Sequence, residues 1–88
     1  MSSETKCVHF IGVGGVGMSG IARVASDSGM RVSGSDMKSS RYTEQLVQAG
    51  IPVFVGHDAA NLPSDCDVVV VSTAIPETNP ELAAARER

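Results

Sequence analysis

The sequence has no tryptophan, and its aromatic content is limited to two phenylalanines and one tyrosine among 88 residues. A chain this short buries only about 60 to 65% of its unfolded surface, so its core must be built from Val, Ile, Leu, Met and Ala. Basic charge is scarce as well: seven Lys and Arg, scattered along the chain, face ten Asp and Glu, for a net charge of -3. With no basic stripe to release counterions from a polyphosphate backbone, nucleic acid is not expected as a partner. Unbroken apolar runs are short. Val68 to Val71 is strand-sized, far from the ~20 residues that a membrane helix requires. The apolar stretch from Cys7 to Ala22 contains His9, Ser19 and five glycines and is preceded only by Lys6, which does not read as a secretory leader. The expected protein has no membrane association and is cytoplasmic. Only two cysteines occur, Cys7 and Cys66; each opens an apolar run and reads as a small buried hydrophobe, with no sign of a disulfide-forming compartment.

Chemistry-bearing patterns are missing too. There is no G-x-x-x-x-G-K-[ST] loop for ATP, no cluster with metal-ligand spacing, and no supported nucleophile set. No catalytic and no metal-binding residue is therefore expected within these residues, which read as a binding module.

What the sequence does contain is an alternation of strands and helices. Residues 1–6 form a polar leader, and 7–88 read as one domain. Cys7 to Gly12 reads as a first strand running into a glycine cluster; Met18, Ile21, Ala22 and Ala25 then recur at helical spacing, and Gly29 supplies a helix stop. Residues 30 to 35 read as a second strand with Asp36 at its carboxyl end. A helix is expected from an N-cap at Ser40 through Tyr42, Leu46, Val47 and Ala49 to Gly50. Ile51 to Val55 reads as a third strand, Asp58 as the cap of a short helical turn, and Cys66 to Ser72 as a fourth strand. Its four consecutive valines suggest a strand covered on both faces, the most buried of the set. Asn79-Pro80-Glu81 combines an N-cap, a proline at the first helical position and an early acid, and Arg86 and Arg88 suit that helix's carboxyl end. The expected fold is α/β: a Rossmann-like open parallel sheet, helices on both faces, strand order 3-2-1-4, with a fifth strand belonging to a longer chain.

Gly12-Val13-Gly14-Gly15-Val16-Gly17 fits G-x-G-x-x-G, after a strand and before a helix, with Asp36 at the end of the next strand. Gly12 would permit the tight turn, Gly14 and Gly15 the approach of a phosphate, and Gly17 close packing of helix on sheet. Helix N-H groups would face the anion, and Asp36 would accept from ribose hydroxyls. His57, Ser72, Thr73 and Ala74 follow strands at the same carboxyl edge, where ligands bind in open α/β sheets. His9 reads as a packing residue. The pattern suits NAD and other nucleoside diphosphates alike, and leaves open a stand-alone NAD-binding module.

The runs His9 to Ala22, Val32 to Asp36, Gly56-His57, Val68 to Ile75 and Asn79-Pro80-Glu81 resemble the N-terminal domain of the Mur ligases. Among these they are most similar to the branch that joins L-alanine to UDP-N-acetylmuramate. A sister branch that recycles the murein tripeptide carries a Gly-x-Cys-Gly-Thr loop, which is not found here. The resemblance implies a three-domain cytoplasmic enzyme of peptidoglycan synthesis whose N-terminal domain holds the UDP part of the substrate. ATP, magnesium and L-alanine would be bound by the other two domains, so the 88 residues alone would be inactive. Carried over by position, the backbone of Gly14, Gly15, Val16, Gly17, Met18 and Ser19 would hold the diphosphate, and Asp36 would lie by the uridine. His57 and the turn of Ser72, Thr73 and Ala74 would flank the nucleotide or sugar.

Overall fold

Strand β1 (Cys7–Ile11) forms the buried middle of a parallel sheet in a computed structural model that describes residues 5–88. Residues 1–4 of the expected polar leader lie outside the described residues. Around β1 the chain lays down α1 (Val16–Asp27), β2 (Arg31–Asp36), α2 (Arg41–Gln48), β3 (Val53–Val55), a single 3-10 turn at Ala59–Asn61, β4 (Val68–Val71) and α3 (Pro80–Arg86). The strand order is β3-β2-β1-β4, with all neighbours parallel, as the alternation of elements predicts.

Period-two alternation along β1 divides the molecule into two layers. Val8 and Phe10 face one side and pack with Val13, Val32, Leu46 and Ile51 and with Ala22 of α1; half-buried Met18, Ala25, Val53 and Val70 close this core. His9 faces the other side, where it meets Glu81 of α3. Helices therefore cover both faces. Each fully buried aliphatic or Phe side chain in this core contributes about 1.5 to 3 kcal/mol.

Local sequence explains the boundaries. Gly29 and Gly50, just past α1 and α2, have φ of 94° and 90°, left-handed values that a β-carbon would strain. Ser40 and Thr43 exchange side-chain and backbone hydrogen bonds in a capping box at α2. Asn79 accepts from the Glu81 and Leu82 N-H groups at 2.9 and 3.1 Å, with Pro80 opening α3. Arg86 pairs with Glu77 at 3.0 Å.

The structure corrects several expectations. The most buried strand is β1, every residue of which is buried, and not β4, whose Val68 and Val71 are 44% and 37% exposed. Among the described residues β4 pairs with one strand, β1, whereas β1 lies between β2 and β4, and a strand with neighbours on both sides is the more fully covered. The third strand starts at Val53, after Ile51 and Pro52. Ile51 is nevertheless in the core, and the Pro52 carbonyl accepts from Gly34 N-H at 3.0 Å. Ile21 is 56% exposed, while Thr43, outside the expected periodic set, is buried. Cys7 and Cys66 are both free thiols, Cys7 buried and Cys66 half-buried. Burial pushes the Cys7 thiol up, with Cys66 adding to the effect. Among the described residues no helix is long and apolar enough to cross a membrane.

Candidate functional site

The carboxyl ends of all four strands open on one edge of the sheet, and the turns that leave them build the site. Gly12 follows β1 with φ of 86°, and the N-H groups of Gly12 and Val13 both donate to the Ser35 carbonyl, at 2.8 and 2.9 Å. A β-carbon on Gly12 would stand 3.0 Å from Ser72 Cβ. Ser72 in turn donates its N-H to the Ile11 carbonyl at 3.0 Å. The turns after β1 and β4 therefore abut where the strand order reverses direction, the place where open α/β sheets hold ligands.

At this point α1 begins without a cap. Gly15 is its N-cap residue, no side chain caps it and no acid lies in its first turn. The first N-H to find an intrahelical partner is that of Ser19, which donates to Gly15 at 2.8 Å. Helix geometry leaves the N-H groups of Val16, Gly17 and Met18 without an intrahelical carbonyl. A β-carbon on Gly17 would meet nothing within 4 Å, and one on Gly15 only atoms at 4.0 Å. Open space, unpaired donors and the positive end of the helix dipole together suit an anion.

Two glycine roles differ from expectation. Gly14 is bare because its neighbours need the room: a β-carbon there would stand 2.8 Å from Asp36 Oδ2 and 3.1 Å from Thr43 Cγ2. Its N-H is occupied, donating to Asp36 Oδ2 at 2.8 Å. Close packing of backbone layers falls to Gly34 instead of Gly17, since a β-carbon on Gly34 would stand 2.8 Å from Val13 Cβ.

Asp36, half-buried at the end of β2, thus ties β2 to the glycine loop, while Oδ1 accepts from Lys38 N-H at 3.2 Å. An ionised carboxylate offers about four acceptor positions, so capacity for a ribose hydroxyl remains. Ser19 is half-buried and donates its hydroxyl to the Val16 carbonyl at 3.1 Å. Thr73 and Ala74 are exposed, and the Ser72 hydroxyl accepts the Ala74 N-H at 3.3 Å, ordinary turn chemistry.

His57 is not an exposed loop residue. Its side chain is 9% exposed, and Nδ1 lies 3.0 Å from Ser35 Oγ and 3.2 Å from Glu81 Oε2. It lines a cavity of about 400 Å³ with Met37, Ala74, Ile75 and Thr78. Behind it stands a polar cluster that no local sequence pattern announces. Glu81, fully buried, accepts at Oε1 from His9 Nε2 (2.6 Å) and Ser35 Oγ (2.7 Å). Its Oε2 accepts from Asn61 Nδ2 (3.0 Å) and the Asp58 N-H (3.2 Å) as well as from His57. Burial alone would push the Glu81 carboxyl up, but the hydrogen bonds from Asn61, His9, Ser35 and Asp58 outweigh it and hold the group below its ordinary value. The available clue was that His9, Ser33 and Ser35 share one face of adjacent strands, a buried polar strip that demands a partner. A separate cavity of about 350 Å³ lies away from this edge, lined by residues including Cys7, Met30 and Arg31. There Arg31 is already paired with Asp65 at 2.6 Å.

A family model described as "Mur ligase family, catalytic domain" matches residues 7–88. The chain is 58% identical over 81 residues to a UDP-N-acetylmuramate--L-alanine ligase of Rubrobacter xylanophilus, covering 92% of this chain and 18% of that protein. The protein of the same name from Brucella ovis is also 58% identical over 81 residues, with 92% and 17% covered. Among solved structures, the UDP-N-acetylmuramate-alanine ligase of Thermotoga maritima superposes with a TM-score of 0.89 at 38% identity, covering 96% of this chain and 19% of that one. The chain thus spans under a fifth of the length of the curated relatives it matches.

Proposed function

Because the chain belongs to the Mur ligase family, we propose that it is the N-terminal domain of a UDP-N-acetylmuramate--L-alanine ligase and that it holds the UDP part of the substrate. The observation that carries this reading is the uncapped start of α1, set at the reversal of strand order beside Asp36. In this reading the N-H groups of Gly15, Val16, Gly17 and Met18 bind the diphosphate. No Lys or Arg lies in the loop, so the helix dipole and these donors balance the charge. Asp36 accepts from the ribose while keeping the glycine loop in place, and His57 and the Ser72 to Ala74 turn flank the rest of the nucleotide or the sugar. Gly12, with its positive φ, shapes the turn and need not touch the ligand.

The residues do not fit ATP or magnesium. The sequence has no G-x-x-x-x-G-K-[ST] loop, and among the described residues no three His, Cys, Asp or Glu side chains gather as a metal site. In the whole enzyme, the remaining length would supply ATP, magnesium and L-alanine binding. The lactyl carboxylate of UDP-N-acetylmuramate would become an acyl phosphate that the amine of L-alanine attacks, forming the amide and releasing ADP and phosphate. This segment supplies the grip on the nucleotide and no reacting group. Its place is then the cytoplasmic phase of peptidoglycan synthesis.

Thermal unfolding tests the reading. A ligand that binds only the folded chain raises Tm with concentration. UDP-N-acetylmuramate is expected to do so, and N-acetylmuramate without the diphosphate is not. An equal rise with both would mean that the chain does not hold the diphosphate.

A further inference from the structure

The hydrogen bonds around Glu81 decide which nitrogen of His57 carries a proton. The Ser35 hydroxyl has one proton, given to Glu81 Oε1 at 2.7 Å, so toward His57 Nδ1, at 3.0 Å, Ser35 can only accept. The other neighbour of Nδ1 is Glu81 Oε2 at 3.2 Å, an ionised oxygen that also only accepts. Both partners of Nδ1 are acceptors, so Nδ1 carries a proton, and a ring with a single proton has its lone pair on Nε2. That atom is the one buried side-chain nitrogen or oxygen among the described residues with no hydrogen-bond partner. It belongs to a ring that lines the cavity at the carboxyl edge. A buried acceptor left unpaired is costly and becomes favourable once a donor reaches it. Ligand sites orient their ligands with a few such groups.

We propose that Glu81 is a positioning residue of the nucleotide site: it fixes the His57 tautomer whose Nε2 offers a lone pair to a hydroxyl or ring N-H of the bound nucleoside. This rests on the nucleotide-binding reading above. A merely structural Glu81 would join α3 to β1 and β2 through His9 and Ser35 and leave the His57 tautomer and the ligand unlinked. The helix has no need of this carboxylate as a cap, since Asn79 serves that end.

The test is long-range proton-nitrogen NMR of the imidazoles in the 88-residue chain, free and with UDP, in the native chain and in Glu81→Gln. The native chain is expected to show a protonated Nδ1 and a bare Nε2 on His57, and UDP shifts the Nε2 resonance. In Glu81→Gln the amide turns N-H donors toward part of the cluster. His57 is then expected to populate the other tautomer and UDP to bind about tenfold more weakly, while the amides of residues 15–18 still respond at saturation; tenfold corresponds to about 1.4 kcal/mol. A proton on Nε2 in the native chain overturns the proposal, as does a Glu81→Gln chain with the native tautomer and native affinity. If Glu81→Gln does not fold, the native spectrum decides: an Nε2 resonance indifferent to saturating UDP overturns it. When amides 15–18 respond and Nε2 does not, this proposal alone falls. When none responds, the nucleotide reading falls and takes the proposal with it.

Discussion

The Asp36 carboxylate accepts the Gly14 N-H at 2.8 Å and occupies the space a β-carbon on Gly14 would need. One acid thus holds the glycine loop in shape and stands at the end of β2, where a ribose acceptor is expected. The two roles can be separated by substitution.

Asp36→Asn keeps an oxygen for Gly14 while removing the charge. Its folding stability is expected to stay within about 1 kcal/mol of the native chain, with UDP binding weakened by roughly 1 to 3 kcal/mol. Asp36→Ala loses the tether as well, and both quantities fall. Urea unfolding and calorimetric titration read the two effects. Native affinity in both variants would reduce Asp36 to a loop tether.

Gly34 and Gly17 are expected to respond in opposite directions to alanine. At Gly34 the new methyl would stand 2.8 Å from Val13 Cβ, and Val13 is fully buried, so overpacking costs about 1 to 3 kcal/mol. At Gly17, inside α1 with nothing within 4 Å, alanine gains roughly 0.5 to 1 kcal/mol of helix propensity. Urea midpoints of the two variants check this. A destabilised Gly17→Ala would mean that α1 lies closer to its neighbours than the structure has it.

Glu81 makes stability depend on acid. Its folded carboxyl titrates below the ordinary value because the surrounding hydrogen bonds outweigh the opposing effect of burial. A depressed folded value contributes stability that is fully present above the unfolded value, about 4.3. That stability is lost as pH falls from there through the folded value. Urea midpoints between pH 7 and pH 3 are therefore expected to drop more steeply for the native chain than for Glu81→Gln. Parallel curves would show that the carboxylate is not held ionised by its partners.

Much of this was legible in the sequence because it is local. Gly29 and Gly50 stop helices through a backbone conformation, and Asn79-Pro80 starts one through a side-chain oxygen and a fixed φ. The strand order follows from the alternation of elements. What was not legible depends on contacts between distant residues. Four consecutive valines say that both faces of β4 are apolar but not that, among the described residues, β4 pairs with β1 alone. The glycine spacing identifies a loop but cannot say that Asp36 and Thr43 fill the space beside Gly14. Glu81 reads locally as an acid suited to a helix start. Only the return of α3 across the sheet brings it to His9, 72 residues earlier.

Whether the start of α1 holds the diphosphate of a uridine nucleotide is read from amide chemical shifts of the labelled chain while UDP-N-acetylmuramate, UDP and NAD are added in parallel. Saturable shifts are expected at Gly15 to Met18 and at Asp36 with both uridine ligands and not with NAD. Shifts with NAD alone, or none at those residues with any of the three, would contradict that role of α1.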